Sequence, residues 1–231
     1  MAPGMSAVPQ TTVVVPVLNE AQGVNAVMQQ ARQLMAQGAN IVFVDGGSAD
    51  GTPHLLRQNG FEVLVSGTGR ARQMNTGARH APGGILLFLH ADTTLPEAAL
   101  DHVAHALAAR RVWGRFDVRI AGHSRWLPMV AFMMNRRSRC SGIATGDQAL
   151  FMTRAAFDAV GGFPELPLME DIEMSRALKR LSRPVCLRCK ATTSGRRWDT
   201  RGVWRTILLM WRLRWAYWRG TSAEDIARAY R

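Results

Sequence analysis

A chain of 231 residues, 47% hydrophobic and 20% charged, suits one principal core and excludes global disorder. Lys and Arg number 29 against 17 Asp and Glu, a net charge of +12, and only Lys179 and Lys190 are lysines. The arginine excess suits anionic partners such as nucleotide diphosphates, nucleic acid or an anionic membrane surface, although GC-rich codon usage gives the same bias.

Residues 1–10 (MAPGMSAVPQ) show no basic segment followed by an apolar one, so no secretory signal is expected and the chain is placed in the cytoplasm. The three cysteines, Cys140, Cys186 and Cys189, are too few for a disulfide framework and suit a reducing compartment. Residues 11–17 (TTVVVPV) form a β-branched run, and 21–35 follow with helical apolar spacing at Val24, Val27, Met28, Ala31 and Leu34. A second buried-type strand at 41–44 ends on Asp45 and two glycines. Thr52 and Pro53 then supply an N-cap and a first-turn proline for a helix to Gln58.

A third strand is expected over 61–65, a helix over 70–80 and a fourth strand over 85–89 (ILLFL). This βαβαβαβ alternation predicts a parallel sheet covered on both faces, with ligands beyond the carboxyl ends of its strands. Those ends carry Asn19-Glu20, Asp45 and His90-Ala91-Asp92. A helix follows at 96–110, then a strand at 116–120 and an apolar, Met-rich stretch at 126–135 of undetermined structure. The chain continues with a strand at 150–152, helices at 154–160 and 171–181, and a last strand at 185–193. The Cys186–Cys189 pair falls in that strand, where residues three apart point to opposite faces, so chelation is not expected.

Asp45, followed by Gly46, Gly47 and Ser48, either accepts hydrogen bonds from a base or ribose or caps its own turn, and the residues alone leave both open. At the end of the fourth strand Asp92 is the harder oxygen donor for a divalent cation and His90 the weaker ligand, with a helix-capping turn as the alternative. Glu170 and Asp171 open a helix. They either serve the helix dipole, or one of them takes a proton from an acceptor hydroxyl.

The motifs PVLNE, VDGGSADGT, GRARQMNTGA, LHADT, GDQALF, MEDIEMSRALKR and SGRRW, in that order, resemble the series of family-2 glycosyltransferases. The variants of GRARQMN, LHADT, GDQ and MED resemble a bacterial subgroup termed the radical-SAM/selenodomain-associated transferases. The resemblance implies a GT-A fold over 11–195, a mostly parallel, Rossmann-like sheet flanked by helices, with a nucleotide-sugar-binding half (11–110) and an acceptor-side half (111–195). It implies transfer of a sugar from a nucleotide-diphosphate donor, by inverting displacement, to an unidentified acceptor, with lipid-linked molecules among the candidates.

The same resemblance places Asp45 at the nucleobase, Glu20 beside the nucleoside, and Arg70 and Asn75 in the nucleotide pocket. Asp92, with His90, would hold Mn²⁺ or Mg²⁺ at the diphosphate. Asp171 would be the general base with Glu170 beside it, Asp147 and Gln148 would border the acceptor, and Arg196, Arg197 and Trp198 would close over the donor phosphates. Two departures stand out: His90 replaces the first Asp of the Asp-x-Asp motif, and Gly46 replaces a frequent second acidic residue.

The remaining 196–231 form a basic, Trp-rich helical extension with nine arginines against Asp199, Glu224 and Asp225. At 100° per residue Trp204, Leu208, Trp211, Trp215 and Trp218 share one face, with Arg201, Arg205, Arg212 and Arg219 beside it. That face either packs on the catalytic domain or on a second subunit, or lies peripherally on the inner face of the plasma membrane. No apolar stretch reaches the roughly 20 residues needed to span a bilayer. A nucleotidyltransferase would carry a Gly-rich basic loop where Leu18-Asn19-Glu20 stands. A non-catalytic anion-binding module would leave the strand-end carboxylates unexplained, and no nucleic-acid motif is present.

Overall fold

The computed structural model describes residues 10–108 and 110–230, so the N-terminal segment read for a signal lies outside the described residues. Strands β1 (Thr11–Val17), β2 (Asn40–Asp45), β3 (Val63–Val65) and β4 (Ile85–Phe88) are joined by helices α1 (Val24–Ala36), α2 (Thr52–Gln58) and α3 (Arg70–His80). They pair in parallel in the order β3-β2-β1-β4. Every residue of β1 is buried, as a central parallel strand requires. The pleat sorts its valines: Val13, Val15 and Val17 face α1 through Val24, Met28 and Leu34, whereas Val14 faces α3 through Ala71, Met74 and Ala78.

Beyond β5 (Thr93–Thr94) and α4 (Ala99–Ala108) come β6 (Trp113–Ala121), α5 (Leu127–Ser141), β7 (Phe151–Thr153), α6 (Arg154–Val160), α7 (Glu170–Leu181) and β8 (Val185–Ser194). They extend the sheet as β4-β7-β6-β8-β5, in which β7 is antiparallel to β4 and β6, and β5 is antiparallel to β8. The chain ends in α8 (Arg196–Arg201), α9 (Val203–Trp218) and α10 (Ala223–Tyr230). These fold back onto the domain. Val203 joins Leu127, Val130 and Ala131 of α5, while Leu213 and Ile226 join Met169 and Ile172 at the start of α7.

Several boundaries differ from the sequence reading for identifiable reasons. Residues 21–23 form a turn and not a first helical turn, because the Glu20 and Ala21 amides donate to Thr52 Oγ1 and Asp50 Oδ2 in the neighbouring loop. The cap of α2 is Gly51, at φ 85°, and not Thr52, whose hydroxyl is held by Asp50. Helix α4 starts only after Ala98, at φ 54°. Strand β6 begins at Trp113, ahead of the apolar run at 116–120, because Gly114 lets the Phe151 ring and the Val185 carbonyl close against the backbone. The apolar stretch at 126–135 belongs to α5.

Helix α3 lies unusually close to the sheet. A Cβ at Gly77 would collide with Val14 and Val44, so this glycine sets the height at which α3 carries Arg70 and Gln73. Gly77→Ala should therefore destabilise the fold by about 1–3 kcal/mol through overpacking, read from urea midpoints; an unchanged midpoint would show that α3 can lift without cost.

Candidate active site

The three expected strand ends meet at the carboxyl edge of the sheet, and the loops after β1 and β2 are laced together there. Asn19 N–H donates to Ser48 Oγ (2.9 Å), Ala49 N–H to Asn19 Oδ1 (2.9 Å) and Ala21 N–H to Asp50 Oδ2 (2.8 Å). Asp45 is buried and accepts the Gly47 and Ser48 amides and the Ser48 hydroxyl, so in this arrangement its carboxylate organises its own turn. Gly46 has a specific reason: a Cβ there would lie 2.9 Å from Cδ of Gln73. The Gln73 amide is itself buried, donating to the Val17 and Val44 carbonyls at 2.8 Å. The side-chain volume missing at position 46 is thus filled from α3.

Between α1 and the end of β4 runs a cleft of about 210 Å³ with Glu20, His90, Asp92, Ser194 and Arg196 among its lining residues. Burial raises Glu20 above the ordinary carboxylate pKa; Arg196 counters this, and Asp92 and Asp50 add to it. Asp92 is exposed and its carboxylate accepts the Thr93 hydroxyl at 3.3 Å. His90 is drawn the other way, with Nδ1 3.6 Å from Asp147 Oδ1 and its ring against Gly146, where any Cβ would strike it. Among the described residues no group of three or more His, Cys, Asp or Glu is arranged to hold a metal. Asp92, with Glu20 within electrostatic reach, offers a hard cation one or two carboxylates, so a cation here would need further oxygens from outside the protein.

The second half of the site is the start of α7. Met169, at φ 72°, turns the chain so that Glu170 and Asp171 enter the helix side by side. Glu170 is buried and meets Arg70 Nη1 at 3.6 Å. Asp171 accepts the Gly146 amide (2.9 Å) and the Ile172 amide (2.8 Å). Burial and the adjacent Glu170 charge push its pKa up to about 6, against the lowering effect of those amides and of Arg70. Asp147 behaves oppositely: burial would raise it, but His90, Arg70 and Arg197 together hold it below the ordinary value. Arg197 is lowered by burial and by the nearby Arg70 cation.

Not every expected residue joins this cluster. The Asn75 amide is spent on the Phe163 backbone, donating to its carbonyl and accepting its N–H, both at 2.8 Å. Gln148 is fully buried in a capping box with Thr145 and donates to Asn135 Oδ1. Trp198 packs against the α5 cluster and so anchors α8, whose first arginine, Arg196, lines the cleft. Three residues escaped the sequence reading. Gln73 backs Gly46, Asp199 accepts the His123 and Ser124 amides and ties α8 to the β6–α5 loop, and Arg137 lies within electrostatic reach of Asp171. Only the glycine opposite Gln73 left a trace in the sequence.

The comparisons bear on the family and the fold. The mannosyltransferase PcManGT from Pyrobaculum calidifontis, solved with GDP-Man and Mn²⁺, superposes with a TM-score of 0.65 at 22% identity over 93% of this chain and 63% of its own. S. aureus TarS 1-349 with UDP-GlcNAc gives 0.63 at 16% identity over 80% of this chain and 58% of its own. The chain thus spans less than two thirds of each of these structures. The fold is of the GT-A type. Residues 12–160 match the profile of Glycosyl transferase family 2, well over half of the chain, and the protein belongs to that family. Two Mycobacterium tuberculosis proteins, each named an uncharacterized glycosyltransferase (MT1564 and Rv1514c), are 26% identical over 210 residues, 86% of this chain and 78% of theirs.

The raised Asp171 carboxyl makes a stability prediction. With a folded pKa near 6 against 3.8 for the ordinary group, the folded state binds this proton more tightly, so stability is lost as pH rises between these values. An asparagine side chain at this position mimics the protonated form. Asp171→Asn should raise the melting temperature at pH 8, by the equivalent of up to about 3 kcal/mol, and the gain should vanish near pH 4. A variant less stable at pH 8 would contradict the charge-crowding assignment.

Proposed function

We propose that this protein transfers a glycosyl group from a nucleotide-diphosphate sugar to an acceptor hydroxyl by a one-step inverting displacement. The observation that carries the proposal is Asp171, a carboxylate raised to about 6 and fixed by two backbone amides, one of them from Gly146, which packs on the His90 ring of the cleft that bears Asp92 and Arg196. A base with a pKa near neutrality is matched to removing a hydroxyl proton. The names of the neighbours, which record GDP-Man with Mn²⁺ and UDP-GlcNAc, support a nucleotide-sugar donor.

In this reading the donor diphosphate sits between Asp92 and the arginines of α8, with Glu20 and Asp45 on the nucleoside side. A divalent cation, Mn²⁺ or Mg²⁺, supplies charge neutralisation for the departing diphosphate. Asp171 takes the acceptor proton, the acceptor oxygen bonds to the anomeric carbon, and the bond from that carbon to the phosphate oxygen breaks with its electron pair on the nucleoside diphosphate. Arg196 and Arg197 meet that developing charge. Arg70 pairs with Glu170, and the Glu170 charge crowds Asp171. Asp147, held low, serves the acceptor side as a carboxylate and an anchor for His90. The motif variants further support placement in the radical-SAM/selenodomain-associated subgroup; action in the cytoplasm, on an acceptor for which lipid-linked molecules are among the candidates, completes the proposal.

A panel of nucleotide-sugars with Mn²⁺ and Mg²⁺, scored by thermal stabilisation and donor hydrolysis, identifies the donor. With that donor, Asp171→Asn should keep its affinity while turnover falls about 10²-fold or more; turnover near wild type would sink the base assignment. Asp92→Asn should abolish the metal-dependent part of nucleoside-diphosphate binding in calorimetry. Unchanged metal-dependent affinity would move the cation elsewhere.

A further inference from the structure

We propose that α5 and α9 together form a docking surface for an anionic lipid bilayer. Nine of the thirteen large hydrophobic residues exposed among the described residues lie on or immediately before these two helices. On α9 they are Trp204, Leu208, Trp211, Trp215 and Trp218, each 59–74% exposed and within one 80° arc of the helix. On the α5 side they are Trp126, Met129, Phe132 and Met133.

The two stripes join. Val203 and Ile207 pack with Leu127, Val130 and Ala131 between the helices, and at their outer edge the Trp126 and Trp204 rings meet at 5.5 Å between centroids. The extension therefore does not bury its Trp face on its own domain. The opposite face of α9, carrying Leu213 and Tyr217, is the one that packs, with Tyr217 donating to Glu173 at 2.7 Å.

Charge selects the occupant. Arg205, Arg212 and Arg219 run along the edge of the Trp stripe, Arg219 stacks on Trp215 at 4.9 Å, and Arg125 stacks on Trp126 at 5.4 Å. Tryptophan at headgroup depth bordered by arginine complements anionic lipid. A two-fold dimer through the same patch would bring two chains of net charge +12 together and set these arginine edges against each other. The surface is also continuous with the site: only Gly202 separates α9 from α8, which carries Arg196 and Arg197. Docking would thus hold the donor-side arginines beside the membrane, whatever sugar is transferred.

The full chain should float with vesicles containing about one-third phosphatidylglycerol, should bind pure phosphatidylcholine far less, and should be released by salt of about 1 M. W211S/W215S on α9 and F132S/M133S on α5 should each weaken partitioning by about tenfold, with melting and nucleoside-diphosphate affinity unchanged because all four residues are exposed. No flotation with anionic vesicles would overturn the proposal, as would loss confined to the α9 variant. A concentration-dependent dimer that W211S/W215S dissociates, without vesicle binding, would assign the face to a second copy of the chain instead. Nucleotide affinity is read separately, so failure of the glycosyl-transfer reading would leave this result standing.

Discussion

Carboxylates crowded at the carboxyl edge of a parallel sheet repel one another, and the rest of this site follows from how the fold tolerates them. Glu20, Asp50 and Asp92 gather on one side and Glu170 and Asp171 on the other. Arginines from α3 and α8 stand among them: Arg70 beside Glu170, Asp171 and Asp147, Arg196 beside Glu20, and Arg197 beside Asp147 and Asp92. The balance is uneven. Asp147 sees His90 and two guanidinium groups and titrates low, whereas Asp171, next to Glu170 and shielded from water, titrates near 6. Two carboxylates well separated in sequence thus acquire opposite shifts from their surroundings, and the proposed division between an anchor and a base rests on that difference.

The scaffold fixes that balance through close approaches. Gly77 brings α3 down onto β1 and β2, Gly46 admits the Gln73 amide, and Gly146 admits the His90 ring. The C-terminal extension belongs to the same scaffold. Trp198 and Asp199 hold α8 against α5 and the loop before it, and Leu213 and Ile226 press on Met169 and Ile172, which flank the Glu170–Asp171 pair. In the proposed docking, α9 would rest on lipid with one face and on the start of α7 with the other, which would couple membrane placement to the geometry of the site.

The alternating half of the fold was legible because two periodicities announced it. The run at 11–17 and the short apolar segments after it are buried on both faces, and the polar residues that follow them include Glu20, Asp45 and Asp92. The acceptor half was less legible. Strand β6 contains the buried Arg115 and Asp117, whose ion pair with each other and with Arg139 hides a strand behind a polar sequence, and α5 mixes buried and exposed residues with no single apolar stripe. Residue type alone did not separate ligand contact from bracing: the buried Asn75 amide bonds the Phe163 backbone twice, and the Gln148 amide bonds the Thr145 N–H and the Asn135 side chain. The Trp face of α9 was visible as a stripe, but only the packing of its opposite face decided which side stays exposed.

The central claim is that the crowding of Glu170 and Asp171 poises Asp171 as the base for glycosyl transfer. The most direct test is the pH dependence of kcat/KM for the wild-type protein, using the donor that the nucleotide-sugar panel identifies, with Mn²⁺ present throughout. The account predicts a rise with unit slope up to about pH 6 and a plateau above it. A profile flat from about pH 5 to pH 8, with the protein folded across that range, would contradict it.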